Sequence, residues 1–284
     1  DLIIIQSMAD EVGPRGARYK GIAQFMEAYL IGMAASIWGD IPYSQVLNES
    51  IDDPGLDEQD SVYASVQALL DSAIQNLEGW RKSDTTRVPQ NDMFYNGDID
   101  KWRAAAYTLK ARYYMHWLEG DESNFNCNAA LVNAEKGISA LDGSLKTLHG
   151  TESSEQNMWF QFKQDRSGYM VAGSYLVQLL KNNNDPRDSI YFGENNAGSI
   201  VGANPDNNGP KGKSYLNDEY FRSDASIDIL SYEENLLIQA ECQYRLGNES
   251  DAQTMLQAAQ TAAEEKWGFG DDTFSDISQT GTAL

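Results

Sequence analysis

The fold is decided by residues 98–143, which read DIDKWRAAAYTLKARYYMHWLEGDESNFNCNAALVNAEKGISALDG. Apolar residues recur there at helical spacing in two stripes: Trp102, Ala105, Ala106, Leu109, Tyr113 and Trp117, then Cys127, Ala130, Leu131, Ala134, Ile138 and Leu141. The stretch has about the length of one helix-turn-helix repeat of the tetratricopeptide kind. Asp98 and Asp100 stand where a carboxylate caps the start of the first helix.

The same spacing recurs on both sides of this stretch. It predicts helices over residues 22–37 and 60–77 and a final helix pair over 236–263. The string WGDIPY at 38–43 combines glycine and proline after a helix, so we interpret it as a helix stop and a turn. Because one helix pair cannot bury its apolar faces alone, the pairs must stack. The predicted fold class is mostly α, with stacked tetratricopeptide-like helix pairs.

Composition excludes some classes of function. The chain has 43 acidic and 21 basic residues and a formal charge of −22, which disfavours binding to nucleic acid or to anionic lipid. No apolar stretch approaches the ~20 residues of a membrane-spanning helix. The two cysteines, Cys127 and Cys242, lack the close spacing of zinc or thiol-exchange motifs, so we expect buried free thiols.

Residues 143–228 differ from the rest of the chain. They are rich in Gly, Asn, Ser and Asp, and the spacing predicts one helix in them, over 172–181. Long loops in a compact domain are usually functional or disordered, and many aromatic residues favour function here. We therefore divide the chain into a helical scaffold (1–142), an inserted loop-rich aromatic subdomain (143–228) and a returning helix pair (229–284).

Sugar rings present apolar C–H faces that pack on aromatic rings, and a few planar polar groups then fix the hydroxyls. The loop-rich segment offers both kinds of residue. We predict a ligand site formed by Trp159, Phe160, Phe162, Arg166, Tyr169, Asn195, Asn196 and Tyr215. The alternative is that these aromatic residues only close a small core under the loops.

Five motifs occur in an order that resembles a known family. They are Trp38-Gly-Asp-Ile-Pro-Tyr43; Asp60-Ser-Val-Tyr63 before Leu70-Asp71-Ser-Ala73; Asp92-Met-Phe-Tyr95-Asn-Gly97-Asp98 with Lys101-Trp102; Asn184-Asp-Pro-Arg187 before Tyr191-Phe-Gly193; and Ser231-Tyr-Glu233 before Ala240-Glu241. The chain resembles the SusD/RagB-like outer-membrane nutrient-binding lipoproteins of Bacteroidota, in particular the SusD-like branch. The resemblance covers residues 19 to about 247.

The resemblance implies a protein that captures an oligosaccharide or polysaccharide and delivers it to a TonB-dependent, SusC-like transporter. It implies a location at the cell surface, where a lipid anchor outside this chain holds the protein to the outer leaflet of the outer membrane. It also implies that a loop-rich subdomain carries most ligand contacts. Relatives have an acylated cysteine and further C-terminal helices, so we expect this chain to be a fragment of a longer protein.

Two other functions stay open at this stage. A helical-repeat module that binds a peptide or a partner protein suits the acidic composition and the helix pairs equally well. An α-helical glycoside hydrolase needs two carboxylates at a defined separation, which a sequence with many acids neither shows nor excludes. We expect no enzyme activity, because His116 and His149 have no adjacent histidine and no recognisable serine or cysteine partner.

We also expect no metal ion and no cofactor. Residues 204–209, Asn-Pro-Asp-Asn-Asn-Gly, imitate the first half of a calcium loop. The twelfth position of that loop is Tyr215, where calcium binding needs a bidentate acid. No glycine-rich phosphate loop follows a strand pattern.

Overall fold

The computed structural model describes residues 1–13, 16–46, 48, 50–78, 92–117, 125–204, 206 and 212–270. Its elements are, in chain order, α1 (Leu2–Val12), α2 (Ala17–Trp38), α3 (Gln59–Glu78), α4 (Ile99–His116), α5 (Phe125–Ala134), β1 (Leu145–Thr147), α6 (Met158–Asp165), α7 (Ser174–Asn182), α8 (Arg187–Tyr191), β2 (Ile227–Leu230), α9 (Tyr232–Arg245) and α10 (Glu249–Trp267). The strands β1 and β2 pair as a two-stranded sheet. The predicted fold class, mostly α, is confirmed.

The chain forms two compact units. The helical unit comprises residues 1–145 and 228–284, and the loop-rich unit comprises residues 146–227. In the helical unit each of α1 to α4 packs against the next helix along the chain, α9 then packs on α5, and α10 packs on α9. The helix pair after the loop-rich unit therefore extends the same array, as stacking of helix pairs requires.

The indole of Trp102 lies at the centre of the helical unit, where its side chain is 1% exposed. Three rings meet it edge to face: Phe25 at 5.3 Å, Phe94 at 5.7 Å and Tyr95 at 5.2 Å between ring centroids. Such edge-to-face pairs are favourable because the positive edge of one ring faces the negative face of another. The rings join α2 and the turn before α4 to one core.

Asp92 organises that turn. Its carboxylate accepts hydrogen bonds from the backbone N–H groups of Phe94, Tyr95 and Gly97 and, at 2.8 Å, from Nε1 of Trp102. The helix that follows is capped by Asp98, which accepts from the N–H groups of two residues in its first turn. The predicted capping role of Asp98 is confirmed, and Asp92 supplies the acceptor that the buried indole N–H requires.

The predicted helix stop at 38–43 is also confirmed. Gly39 adopts φ +76°, a value that favours glycine, and its N–H donates to Ala35 at 2.9 Å. Asp57 then holds the returning chain, because its carboxylate accepts from the N–H groups of Tyr43 and Ser44 and from the Ser44 hydroxyl. These bonds lower the pKa of Asp57.

Several helix boundaries differ from the sequence prediction, among them the start of α2 at Ala17, five residues before the predicted start. Periodicity gave no helix at 2–12, whereas the structure has α1 there, packed on α2. The third helix begins at Gln59, so Asp60 lies in its first turn and accepts from Nε1 of Trp117 at 2.9 Å. The predicted stripe to 141 is wrong beyond Ala134, where α5 ends.

The early end of α5 has a tertiary cause. Asn235 of α9 donates to the carbonyl of Ala134 at 2.8 Å and to that of Ile138 at 2.9 Å. Its side-chain oxygen accepts from the hydroxyl of Thr108, which itself accepts from the N–H of Ile138 at 2.9 Å. A buried amide on another helix thus donates to carbonyl groups that would accept from backbone N–H groups if α5 continued.

Cys127 and Cys242 are both fully buried as free thiols, as predicted. They belong to one small cluster of apolar side chains from α4, α5 and α9. Burial raises the pKa of the Cys242 thiol, which keeps it in the unreactive protonated form.

The loop-rich unit has a core of its own, formed by Ala172, Val177, Leu180 and Phe192. Short bridges between extended segments fix the loops around it, including Val171 with Tyr215 and Phe192 with Leu216. The structure has α6, α7 and α8 in this unit, where the sequence predicted one helix. These helices have five to nine residues, too few for apolar periodicity to be distinctive.

Replacement of Asp92 with alanine tests the Trp102 turn. We expect the free energy of unfolding to fall by about 2–4 kcal/mol, because the indole N–H and three backbone N–H groups lose their acceptor. Urea denaturation followed by tryptophan fluorescence measures the change. Asp100→Ala, at an exposed position in the same segment, is the control and should change stability by no more than about 0.5 kcal/mol. Equal effects of the two changes would contradict the role given to Asp92.

Candidate ligand-binding site

The helix α6 carries three of the predicted site residues and is followed by a fourth, Arg166, and a buried amide holds its start. Asn157 is 2% exposed, and its side-chain oxygen accepts from the N–H groups of Trp159 at 2.8 Å and Phe160 at 3.3 Å. Its side-chain nitrogen donates to the carbonyl of Ala225 at 2.7 Å, and its own N–H donates to that of Ser223 at 2.7 Å. The residues predicted in a loop therefore lie on a helix that a cap anchors to the chain before β2.

One face of α6 presents apolar rings beside a cationic group. Trp159, Phe162 and Lys163 are spaced i, i+3 and i+4, which places them within an arc of about 100°. Arg166 follows the helix as its C-cap residue, with φ −128° and ψ 53°. Trp159 is 47% exposed and Phe162 is 44% exposed. Phe160 lies outside this arc and is partly buried. Exposed aromatic rings on one face are unusual enough to suggest a binding surface.

The C-terminal end of this face opens into a cleft of about 390 Å³ within the loop-rich unit. The cleft is lined by Lys163, Gln164, Arg166, Ser167, Gly168, Met170, Gly193, Glu194, Tyr215, Leu216 and Asp218. Two of the predicted residues, Arg166 and Tyr215, thus meet in one cavity. Its volume falls in the range of small-ligand pockets.

Backbone bonds hold Tyr215 at the cleft. Its carbonyl accepts from the N–H of Gly193 at 2.9 Å, and its backbone bridges to Val171. Gly168 has φ +89°, and a Cβ added there would come within 4.0 Å of the Tyr215 hydroxyl. The positive φ of the turn after α6 is therefore what favours glycine at this position.

The remaining predicted residues divide into two groups. Tyr169 is 73% exposed, next to the cleft residues Gly168 and Met170. Asn195 uses both ends of its amide within its own loop: the oxygen accepts from the N–H groups of Ala197 and Ser199, and the nitrogen donates to Gly212. Asn195 therefore shapes the loop. Asn196 is exposed and does not line the cleft.

Sequence reasoning missed three charged residues of the cleft. Lys163 donates to the carbonyl of Leu216 at 2.6 Å and forms an ion pair with Asp218. Glu194, from the segment after α8, also lines the cavity. Lys163 lies four residues after Trp159, so helical spacing would have placed it on the same face had the short helix been predicted.

Two other clefts lie in the helical unit. One, of about 460 Å³, is formed by the turn at 95–100 with Glu78 and Arg103, which form an ion pair. The other, of about 530 Å³, lies between α9 and α10 and is lined mainly by aliphatic and aromatic side chains. Neither shows the combination found in the loop-rich unit, an exposed aromatic face next to a cavity lined by both cationic and acidic side chains.

A serine lies next to one histidine, which the sequence did not reveal. The Ser36 hydroxyl is 2.7 Å from Nδ1 of His116 and 3.0 Å from the Tyr63 hydroxyl. The same hydroxyl donates to the carbonyl of Gly32 at 2.7 Å.

Within the described ranges, no three His, Cys, Asp or Glu side chains group as metal ligands. The calcium-like segment at 204–209 falls largely outside the described residues, since 205 and 207–209 are not among them. In the part of the chain that the structure describes, no helix combines the length and apolar character needed to span a bilayer.

Comparison with known proteins identifies the family. The family described as "Starch-binding associating with outer membrane", SusD-like, matches residues 2–282. The chain belongs to this SusD-like family. The resemblance found in the five motifs is thereby confirmed. Among curated proteins none matches the chain.

Solved SusD-like structures share the fold. A SusD/RagB family protein from Bacteroides thetaiotaomicron is 24% identical with a TM-score of 0.73, over 98% of this chain and 63% of that one. A SusD homologue from Bacteroides uniformis is 19% identical with a TM-score of 0.80, over 95% of this chain and 57% of that one.

A third solved structure is described as a chitin-binding SusD homologue from Flavobacterium johnsoniae. It is 19% identical with a TM-score of 0.77, over 95% of this chain and 57% of that one. The chain therefore spans about three fifths of the length of these SusD-like structures.

The cap of α6 can be tested in isolation. In Asn157→Ala we expect the free energy of unfolding to fall by about 1–3 kcal/mol, because two N–H groups and the Ala225 carbonyl lose their partner. Asn157→Asp keeps the acceptor for the helix N–H groups and should recover part of the loss. Hydrogen exchange of the backbone amides of residues 159–162 measures the stability of this first turn of α6. Unchanged exchange in the alanine variant would contradict the anchoring role.

The titration of His116 gives a pH test. Burial and the nearby Arg112 lower the pKa of His116 below 6.5, so the unfolded chain binds a proton more readily than the folded one. This contribution to stability is complete above about pH 6.5 and is lost as the pH falls through the folded pKa. The stability of the wild type relative to His116→Gln should therefore decrease from pH 7.5 to pH 5, measured by urea denaturation. Parallel curves would contradict the shift.

Proposed function

We propose that this SusD-like protein binds a glycan without chemical turnover, at the exposed face of α6 and the adjoining cleft. The observation that carries the proposal is the exposure of Trp159 and Phe162 on one face of α6, with Arg166 at the C-cap of the same helix, where the cleft begins. Flat aromatic rings fit the apolar faces of sugar rings, and the polar cleft groups fit their hydroxyls. Tyr169 and Tyr215 add further rings at the C-terminal end.

The family supports this class of ligand. The matching family is described as starch-binding, and two similar solved structures are described as chitin-binding. These two polymers differ, so family membership supports glycan binding and leaves the polymer to the residues of the site. The identity of 19–24% to solved relatives means that contact residues are argued from this chain alone.

The same membership supports a proposed location and partner. The family is described as associating with the outer membrane. We propose that the protein is held at the cell surface by a lipid anchor and delivers its glycan to a TonB-dependent, SusC-like transporter. Non-covalent capture suits such delivery, because the ligand must be released intact.

One observation favours a second function, the binding of a basic peptide or protein. The helical unit holds 33 of the 43 acidic residues and 13 of the 21 basic residues, so it carries −20 of the net charge of −22. Affinity for a basic peptide would fall steeply as salt is added, since the Debye length shortens. Affinity for a neutral sugar would not.

Alanine variants at Trp159 and Tyr169 test the glycan proposal. For each single variant we expect about tenfold weaker binding, equivalent to about 1.4 kcal/mol, because a stacking face is lost. Retardation in native gels containing neutral or acidic polysaccharides identifies the polymer, and calorimetry with its oligosaccharide then gives the affinity. Reducing-sugar release in the same mixtures should stay at the level of the buffer.

Phe125→Ala is the matched control, since Phe125 is an exposed aromatic residue of the helical unit. It should leave affinity unchanged within about twofold. Each variant should keep its unfolding temperature within a few degrees of the wild type, because the replaced side chains are exposed. Unchanged affinity in both site variants would exclude this surface as the binding site. Steady release of reducing sugar would contradict the proposal of binding without turnover and indicate a hydrolase.

A further inference from the structure

Arg166 lines the cleft, and no ion pair joins it to another side chain among the described residues. Of the other described arginines in the loop-rich unit, Arg187 pairs with Asp185 and Arg222 pairs with Asp224 at 2.6 Å. Among the described residues no carboxylate lies within 4.0 Å of Arg166, although Asp165 precedes it in the chain. A cation that lines a cavity and has no ion pair is available to a ligand.

The other charges of the cleft leave Arg166 as its uncompensated cation. Lys163 is neutralised by Asp218 and also donates to a backbone carbonyl. Glu194 lines the same cavity, and no ion pair joins it to Arg166 among the described residues. A carboxylate accepts hydrogen bonds from sugar hydroxyls, whereas a guanidinium prefers a carboxylate. The two groups thus suit different parts of one ligand.

The loop-rich unit carries little net charge of its own. It has ten acidic and eight basic residues, so its formal charge is −2. At physiological ionic strength charges separated by more than about 8 Å are largely screened. Among the charges of this unit, Arg166 and its immediate neighbours therefore contribute most to the field at the cleft.

We propose that the cleft recognises the carboxylate of a uronic acid in a polysaccharide, with Arg166 as the residue that reads it. This rests on the proposed function and names its substrate class. The planar guanidinium donates two parallel hydrogen bonds to a carboxylate, which a hydroxyl or a methyl ester does not accept in the same way. Trp159 lies seven residues, about 10 Å along the helix, from Arg166, so an extended oligosaccharide reaches both.

The test compares acidic polymers with their neutral forms. Polygalacturonate and alginate are each measured beside their esterified form by calorimetry at constant ionic strength, together with chitin oligosaccharides and starch. We expect at least one acidic polymer to bind ten or more times tighter than its ester. Arg166→Gln should weaken that binding about 10- to 100-fold, to the level of the ester, while binding of the ester stays within about twofold.

Two further variants separate charge from geometry. Arg166→Lys keeps the charge and loses the paired donors, so its affinity should fall between wild type and Arg166→Gln. Arg222→Gln removes an equal charge from an exposed ion pair in the same unit and should leave affinity unchanged. If Arg222→Gln weakened binding as much as Arg166→Gln, nonspecific charge would explain the result and the assignment of Arg166 would be wrong.

The outcomes distinguish this inference from the proposed function. Binding of chitin, starch or an ester with no preference for the acidic form would overturn the uronate proposal and leave glycan binding intact. Acid-selective binding that Arg166→Gln does not change would overturn the role of Arg166. Failure of folded wild-type protein to bind any of these polymers would count against the glycan proposal and the uronate proposal together.

Discussion

The helical unit depends on the burial of one polar aromatic side chain. Trp102 contributes a large apolar surface to the core, yet its N–H must find an acceptor once water is excluded. Asp92 supplies that acceptor through Oδ2, and its two carboxylate oxygens also accept the backbone N–H groups of the turn before α4. Because one carboxylate serves both the core and the turn, the position of α4 and the packing of α2 on it are set together.

Polar side chains of α4 also bind segments that are distant in sequence. Thr108 meets Asn235 across 127 residues, and Arg112 forms an ion pair with Glu234 and donates to the carbonyl of Ile229 at 2.7 Å. Buried polar groups of this kind cost free energy unless they are satisfied, so they specify one docking of α9. These contacts fix the position of α9, the first helix that follows the loop-rich unit in the chain.

The site in the loop-rich unit is built on different principles. Its helix α6 is short, has no fully buried side chain and is held by the cap at Asn157 and the contacts of Lys163. Local anchors of this kind allow Trp159 and Phe162 to stay exposed, where their apolar surface is available to a ligand. Covering an exposed aromatic face is favourable, which supports the proposal that a ligand binds there and at the adjoining cleft.

The sequence by itself determined the helical class, the long helices α2, α3 and α4, and the turns at Gly39 and Asp98. These follow from apolar spacing and from capping residues, which act within a few positions along the chain. The ordered motifs were sufficient for the family as well. The aromatic content of 143–228 directed attention to the part of the chain in which the cleft lies, but it did not separate Arg166 and Tyr215, which line it, from Asn195, which folds its own loop.

Only the tertiary structure decided the end of α5, the existence of α6 and the pairing of charges at the cleft. Asn235 ends α5 from 101 residues away, and Ala225 holds the cap of α6 from 68 residues away. Whether an arginine is paired depends on which carboxylates the fold brings within reach: Arg187 and Arg222 find theirs two residues away, whereas Arg166 finds none among the described residues. Such contacts are long-range or depend on side-chain direction, and a pattern along the chain contains neither.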